Sequence, residues 1–529
     1  MKSLLSILIV AILLAACGGG TGTTTTSTND QNNTPLLVTS SPIDSTEKKG
    51  TGSLKILGKI TYERINPKHN GSSTILDTNN ITEESASNIL VAAIDSNENI
   101  IASVGTDING NYVLQGIPES TSLKIRAYAK MKNSTWNLKI VDNTHNSALY
   151  AIEGSFHDSG TSDSRRTLKA LYSTNSAAPF AILDSIHQAM SKVQSANSNS
   201  TFPALKINWS INNINTGDFQ PDIGHLPTTF YSDSNIYVLG DKASDADEFD
   251  NHIIIHEWGH YFEDVFSRAD SIGFSHGAGQ KLDIRVAFGE GFGNAFSAIV
   301  TDDPIYYDTV NNGTQGSNMN IESAPKNTPG YYSEASIQRI LYDFYDNHND
   351  SSDNLSMGFT PLYNTLVGAE KRTPAFTSIF TFVTALKNEN PGESGKIDAI
   401  TGSENITDIT DIYGTSNDAT LYETVTVGNS LDITTNTSNG SPNKLYNRKY
   451  IRFTINSGQS YRIRVDTTSN NSPDPDFILF KTSPFNRIAQ GINSGTNEIK
   501  DIYLDAGEYL LDIYDANSRS SANFTVMIN

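Results

Sequence analysis

The stretch Asn251-His252-Ile253-Ile254-Ile255-His256-Glu257-Trp258-Gly259-His260-Tyr261-Phe262 limits what this chain can fold into more than any other part of it. Ile253, Ile254, Ile255, Trp258, Tyr261 and Phe262 make it a mostly buried helix. Two imidazoles and a carboxylate are unfavourable in such a helix unless something compensates them. Residues four apart project from one helix face a turn apart, so His256 and His260 converge on a single ion, and zinc suits them. Glu257 is turned by about 100° from His256: badly placed to join both imidazoles as a ligand, well placed to take a proton from water beside the ion. The bland alternative is a core helix whose polar residues face solvent.

A zinc that does chemistry needs a third protein ligand and an open position for water. His252 and Asp264 share the stripe, but ligands at i, i+4 and i+8 span about 12 Å of helix axis, too far for one ion. A metzincin pattern requires Gly at 263 and His at 266, where this chain has Glu263 and Phe266. Further on, Phe288, Phe292, Phe296 and Ile299 recur at helical spacing and leave Glu290, Asn294 and Ser297 on another face. A second helix thus presents a lone carboxylate. Its bland reading is an ordinary helix-start glutamate, since acids favour helix N-termini.

HExxH followed by a glutamate on a second helix resembles the gluzincin metallopeptidases, most closely the matching segments of fungalysins and thermolysin. The resemblance covers residues 235 to 350. It implies an α+β zincin-like metallopeptidase domain with Zn2+ held by His256, His260 and Glu290 and with Glu257 as general base. Asn294 stands at the position of an aspartate that orients a zinc histidine; its carbonyl accepts an imidazole N–H without charge, which implies weaker zinc binding. The resemblance also implies a Tyr or His donor to the oxyanion. His276, in the loop Ser275-His276-Gly277, and Tyr331 or Tyr332, just before the helix Ser333 to Tyr345, are the candidates, with His276 and Tyr332 ranked equal. The strand Asn235 to Leu239 is either an edge that binds substrate backbone by strand addition or a plain core strand. The implied activity is a zinc-dependent endopeptidase acting on extracellular protein or peptide. The alternative, from another class, is a catalytically weak or inactive surface lipoprotein that serves adhesion or binding.

The single cysteine excludes an intramolecular disulfide and leaves nitrogen and oxygen ligands to any metal. It is Cys17, preceded by Met1-Lys2, an apolar stretch from Leu4 to Leu14, and Leu14-Ala15-Ala16. This resembles the lipobox of bacterial lipoprotein signal peptides, which implies removal of residues 1–16, acylation of Cys17 and a protein held in the cell envelope, at the outer membrane or cell surface, through its lipid anchor only. Residues 17–51, rich in Gly, Thr, Asn and Ser, read as a flexible tether. A net charge of −21 repels phosphates and argues against a nucleic-acid partner.

Residues 52–130 alternate like strands, and Thr106-Asp107, Asn109-Gly110, Tyr112 and Gly116-Ile117-Pro118 resemble the carboxypeptidase regulatory-like, transthyretin-type β-sandwich. Residues 131–417 are assigned to the metallopeptidase domain. Within them, residues 177–193 read as a core helix. Ser333 caps a helix with the stripe Ile337, Ile340, Leu341 and Phe344, and Ala375 to Leu386 forms another helix. The acidic run Asp245, Asp247 and Asp250 reads as a solvated loop, with calcium binding as the alternative. Past residue 420, short strands from Lys449 to Ile528 predict a sandwich. There Asp474 to Phe480 and Leu504 to Tyr509 resemble the pre-peptidase C-terminal domain, over residues 418–529. The expected fold is therefore multidomain: a zincin-like α+β domain flanked by N-terminal and C-terminal β-sandwiches.

Overall fold

The computed structural model describes residues 36–38, 47–277, 279–323, 327–347, 354–417, 419–436, 441–469, 472–517 and 521–529. The expected signal peptide, Cys17 and most of the expected tether lie outside the described residues. The chain divides into two compact units. One runs through Tyr261 and includes Val300–Met319; the other comprises Phe262–Ile299 and Asn320–Asn529. The architecture is multidomain and mostly sheet, with a smaller set of helices.

In the first unit the strands of residues 52–130 do not close on themselves. Leu90–Asp95, Ile100–Gly105 and Ser122–Tyr128 belong to an eleven-stranded sheet that continues through Ala148–Glu153, Asn137–Asp142, Leu205–Trp209, Asn235–Val238 and Phe230–Ser232. The boundary expected at residue 130 falls inside the strand Lys130–Lys132, which pairs with Asn137–Asp142. Burial explains why the sheet runs on. Leu90 through Ile94 and Leu123 through Tyr128 are buried without alternation, the signature of strands covered on both faces inside a large sheet. Leu54–Arg64 instead centres a five-stranded sheet with Thr82–Ser85, Asn111–Ile117, Ser164–Arg165 and Leu168–Ala170. Helix α1, Ala178–Ala196, lies on strands of both sheets and buries Phe180, Ile182, Leu183, Ile186 and Met190. Within the stretch read as a tether, Leu36–Val38 pairs antiparallel with Ala148–Glu153.

Asn235–Val238 is an inner strand, parallel to Leu205–Trp209 on one side and antiparallel to Phe230–Ser232 on the other. The end strand of the sheet is Phe230–Ser232. The edge expected at Asn235 to Leu239 is thus displaced by one strand, because the short turn at Asp233-Ser234 folds a further strand onto it. Both turn residues adopt positive φ, 48° and 60°, as tight hairpins require. Helix α2, Asn251–Val265, follows this sheet in the chain.

In the second unit helix α3, Ile284–Thr301, is covered all round: every residue from Ile284 to Ile299 is buried, the polar Arg285, Glu290, Asn294 and Ser297 included. Helix α4, Glu334–Tyr345, starts at Ser333, whose side chain accepts the Ser336 N–H, and buries the expected Ile337, Ile340, Leu341 and Phe344. At Gly291 an added Cβ would stand 2.4 Å from Ile337 Cβ, so the glycine is what lets α4 approach α3. Helices α5, Phe359–Thr365, α6, Ile379–Glu389, and α7, Ser394–Ser403, complete the helical part. Helix α6 starts after the expected Ala375 because Ser378 and Thr381 form a capping box, which leaves Phe376 in the preceding loop. Among the described residues no helix is long and apolar enough to cross a membrane.

The C-terminal part of this unit is a sandwich of a five-stranded and a four-stranded sheet. Its core contains Ile451, Phe453, Ile463, Phe477, Leu479, Leu511, Ile513, Phe524 and Val526. A buried polar network joins it to the start of α3. Arg285 bonds Asp283 at 2.9 Å and Asp512 at 3.0 Å, Arg448 bonds Asp512 at 2.7 Å, and the Tyr450 hydroxyl donates to Asp283 at 2.6 Å. The Arg285 guanidinium also lies 4.3 Å from the centre of the Phe376 ring.

Candidate metal centre

Helix α2 carries His256, Glu257 and His260 because its apolar residues Ile254, Ile255, Trp258 and Tyr261 are buried, which fixes the rotation of the helix. Trp258 stands 6.0 Å, ring centre to ring centre, from Phe202, and the Tyr261 hydroxyl donates to the Pro203 carbonyl at 2.8 Å. The Nε2 atoms of His256 and His260 are 3.1 Å apart. Two nitrogens bound to one tetrahedral zinc stand about 3.3 Å apart. His252, one turn earlier, faces the Asp303 carbonyl at 3.0 Å and the Thr301 hydroxyl at 3.1 Å. His256, Glu257 and Glu290 are 3%, 2% and 1% exposed. Two imidazoles and a carboxylate form a donor set that fits zinc.

Glu257 Oε2 accepts the backbone N–H of Tyr231 at 2.8 Å, so the end strand Phe230–Ser232 orients this carboxylate. Tyr306, in the strand Ile305–Val310, sets its ring at 90° to that of His256 with centres 6.3 Å apart. Burial raises the Tyr306 hydroxyl pKa well above its ordinary value, and the charge of Glu257 raises it further. Neither Tyr231 nor Tyr306 is marked by any motif or spacing.

In the second unit His276 lies with Nε2 3.4 Å from Glu290 Oε2 and Nδ1 3.0 Å from Glu334 Oε2. Burial lowers the imidazole pKa, but the two carboxylates outweigh it and bring it up to about 8. The loop carrying His276 is held from behind: the Asn443 amide donates to the carbonyls of Gly273 at 2.9 Å, Phe274 at 3.0 Å and Ser275 at 3.2 Å. Lys444 adds a bond to the Ser275 carbonyl at 2.8 Å. Tyr332 directs its hydroxyl to the Pro329 carbonyl at 3.3 Å and lies under the Lys281 ammonium, while the Tyr331 hydroxyl meets that of Tyr446. The Asn294 amide nitrogen donates to Gln338 Oε1 at 3.0 Å, which turns its carbonyl oxygen away from Gln338. Glu334 and Asn443 escaped the sequence reading: the first looks like a helix-start acid, the second like a turn residue.

The acidic run ahead of α2 differs from the solvated loop expected. Asp247 and Asp250 are buried, and Asp245 and Asp308 are half-buried. Burial and the charge of Asp308 push the Asp245 carboxyl up to about 7, and burial pushes Asp308 up to about 6.

The paired imidazoles of His256 and His260, 3.1 Å apart, are a candidate metal-binding group. Residues 190–393 match the family model of the mycolysin C-terminal domain, which sets this segment in a metallopeptidase context. No curated protein matches the chain. Among solved structures, it is similar to the pre-peptidase C-terminal domain of a collagenase from Bacillus anthracis, at 14% identity, covering 20% of this chain and 94% of that one with a TM-score of 0.18. The surface-associated copper-binding protein CorA of Methylomicrobium album BG8 matches at 8% identity over 21% of this chain and 98% of its own, with a TM-score of 0.18. The periplasmic lysozyme inhibitor PliG of Aeromonas hydrophila matches at 16% identity over 20% and 97%, with a TM-score of 0.14.

Proposed function

We propose that this chain is a zinc-dependent endopeptidase that hydrolyses extracellular protein or peptide. The observation that carries the reading is the 3.1 Å approach of the His256 and His260 Nε2 atoms, one turn apart on the helix that also carries Glu257. His256, His260 and Glu290 would hold the zinc, which supplies a water acidified to near neutrality and polarises the scissile carbonyl. Glu257 takes the proton on a carboxylate oxygen oriented by the Tyr231 N–H and delivers it to the leaving amine. His276, braced by Glu334, is the donor to the developing oxyanion. Tyr332 is the other donor weighed from the sequence, and its bond to the Pro329 carbonyl favours His276 over it. Asn294 would accept the N–H of a zinc histidine on its carbonyl. The end strand Phe230–Ser232, beside Glu257, receives the substrate backbone by strand addition. The family match over residues 190–393 supports the protease reading. Cys17 is proposed to be acylated and to tether the protein to the cell envelope; its only membrane contact is that anchor, and its net charge of −21 leaves no role for nucleic acid.

Metal analysis and hydrolysis together test the reading. Purified wild-type protein should bind one zinc per chain and cleave a broad peptide library. Glu290→Ala should lose the zinc, while Glu257→Gln should keep it and lose about 10²- to 10⁴-fold in hydrolysis. Full zinc loading without any cleavage by the wild type would replace the peptidase by a structural metal site in a binding protein.

A further inference from the structure

Three carboxylates from the segment just ahead of α2 and from the strand Ile305–Val310 come together. One carboxylate oxygen each of Asp245, Asp247 and Asp308 lies within 4.8 Å of the others. Asp247 is 3% exposed and its Oδ2 accepts from the Thr229 hydroxyl, while its Oδ1 is sealed from solvent with no hydrogen-bond partner. Oδ1 of Asp245 and Oδ1 of Asp308 are sealed and unpartnered in the same way. Three carboxylates brought together with three orphaned oxygens are strongly unfavourable unless a positive charge joins them.

Among the described residues, no cation ranks among the strongest influences on Asp247. After burial, the strongest influences on Asp247 are Asp245, Asp308 and Asp250, all acids. Lys242, close in sequence, holds its ammonium 4.5 Å from the centre of the Tyr172 ring and acts on Glu248. Asp250 is not a fourth open ligand, because both its oxygens are taken by Thr309, whose N–H donates at 2.7 Å and whose hydroxyl lies 2.9 Å and 3.1 Å away. Its work is structural: it ties the strand Ile305–Val310 to the start of α2. Asp245 pairs with Val310 across the same two segments, and together these contacts bring Asp308 to the other two acids.

We propose that Asp245, Asp247 and Asp308 bind Ca2+. Carboxylate oxygens alone, with no imidazole or thiolate, select a hard cation and disfavour zinc. Calcium tolerates an irregular cage of six to eight oxygens completed by water or carbonyls, where Mg2+ demands a near-ideal octahedron. The half-buried Asp245 and Asp308 leave the ion a route from solvent. The consequence reaches the catalytic helix. The Thr229 hydroxyl that binds Asp247 also accepts the Leu239 N–H at 2.9 Å, and two residues on, Tyr231 donates to Glu257. An ion at the three aspartates therefore fixes the strand that aims Glu257.

The test uses the full chain with its zinc retained, stripped of calcium by dialysis, and CaCl2 as the probe. Calorimetric titration should find one Ca2+ per chain, and thermal unfolding should rise by several degrees with Ca2+ but not with equal MgCl2 or NaCl. Asp308→Asn, at a half-exposed position, should fold by circular dichroism, keep its zinc and lose at least tenfold in Ca2+ affinity. Asp245→Asn serves as the second variant should Asp308→Asn fail to fold. Absence of stoichiometric Ca2+ binding, an equal shift from Mg2+ or Na+, or unchanged Ca2+ affinity in the folded variants would overturn the proposal. Zinc content is read separately, so loss of the zinc site and loss of the calcium site give different results.

Discussion

At Glu257 one backbone N–H does what no pattern of side chains announces: it selects the carboxylate oxygen and hence the direction in which the other faces. Glu370 shows the same dependence on surroundings with a measurable pH signature. It is fully buried, accepts from the Thr381 hydroxyl at 2.7 Å, and burial pushes its carboxyl from 4.5 up to about 8. The folded state thus holds a proton there that the unfolded chain releases. Between about pH 4.5 and pH 8 the stability contributed by this group falls as pH rises, and above that window it is lost. Glu370→Gln keeps the shape and removes the titration. Melting temperatures across pH 5 to 9 should show a flatter slope for the variant, with its advantage over wild type greatest at the alkaline end.

Among the elements, the contact of α3 with α4 rests on Gly291. A methyl there would press into Ile337 Cβ at 2.4 Å and the Glu334 carbonyl at 2.9 Å, neither of which can swing aside. Gly291→Ala should cost about 1–3 kcal/mol by overpacking, read from denaturant unfolding. Because Glu334 at the start of α4 braces His276, the same variant should lower hydrolysis even at temperatures where it stays folded. The buried stripe and the cap of α4 were legible because both are local: Ser333 meets an N–H three residues on, and the stripe repeats every turn. Nothing local says that α4 must stand against a glycine of α3.

For the molecule, the C-terminal sandwich is bound into the interior of its unit through charge. Asp512 lies between Arg285 of α3 and Arg448 of the sandwich, all three buried. Asp512→Ala would leave two guanidinium groups without their shared carboxylate in a dry interior, at a loss of about 3–5 kcal/mol. Urea unfolding of the full chain should report it, with the midpoint lowered and the slope unchanged. An unaltered midpoint would mean that the sandwich is merely appended to α3.

Taken alone, the order of residues determined what depends on short chain geometry: the i, i+4 pair His256 and His260, the turn between them that singles out Glu257, the amphipathic stripes of α1 and α4, and the alternating strands of the C-terminal sandwich. Such patterns span a few residues, and backbone geometry alone sets which side chains share a face. Only the tertiary structure decided which distant groups meet. It set Glu334 behind His276. It ran one sheet through the boundary expected at residue 130, added Phe230–Ser232 outside the expected edge, and turned a presumed solvated acidic loop into three converging carboxylates. The reason is that long-range pairing follows from which apolar faces exclude water from one another, and any apolar face can meet many partners until the whole chain is packed.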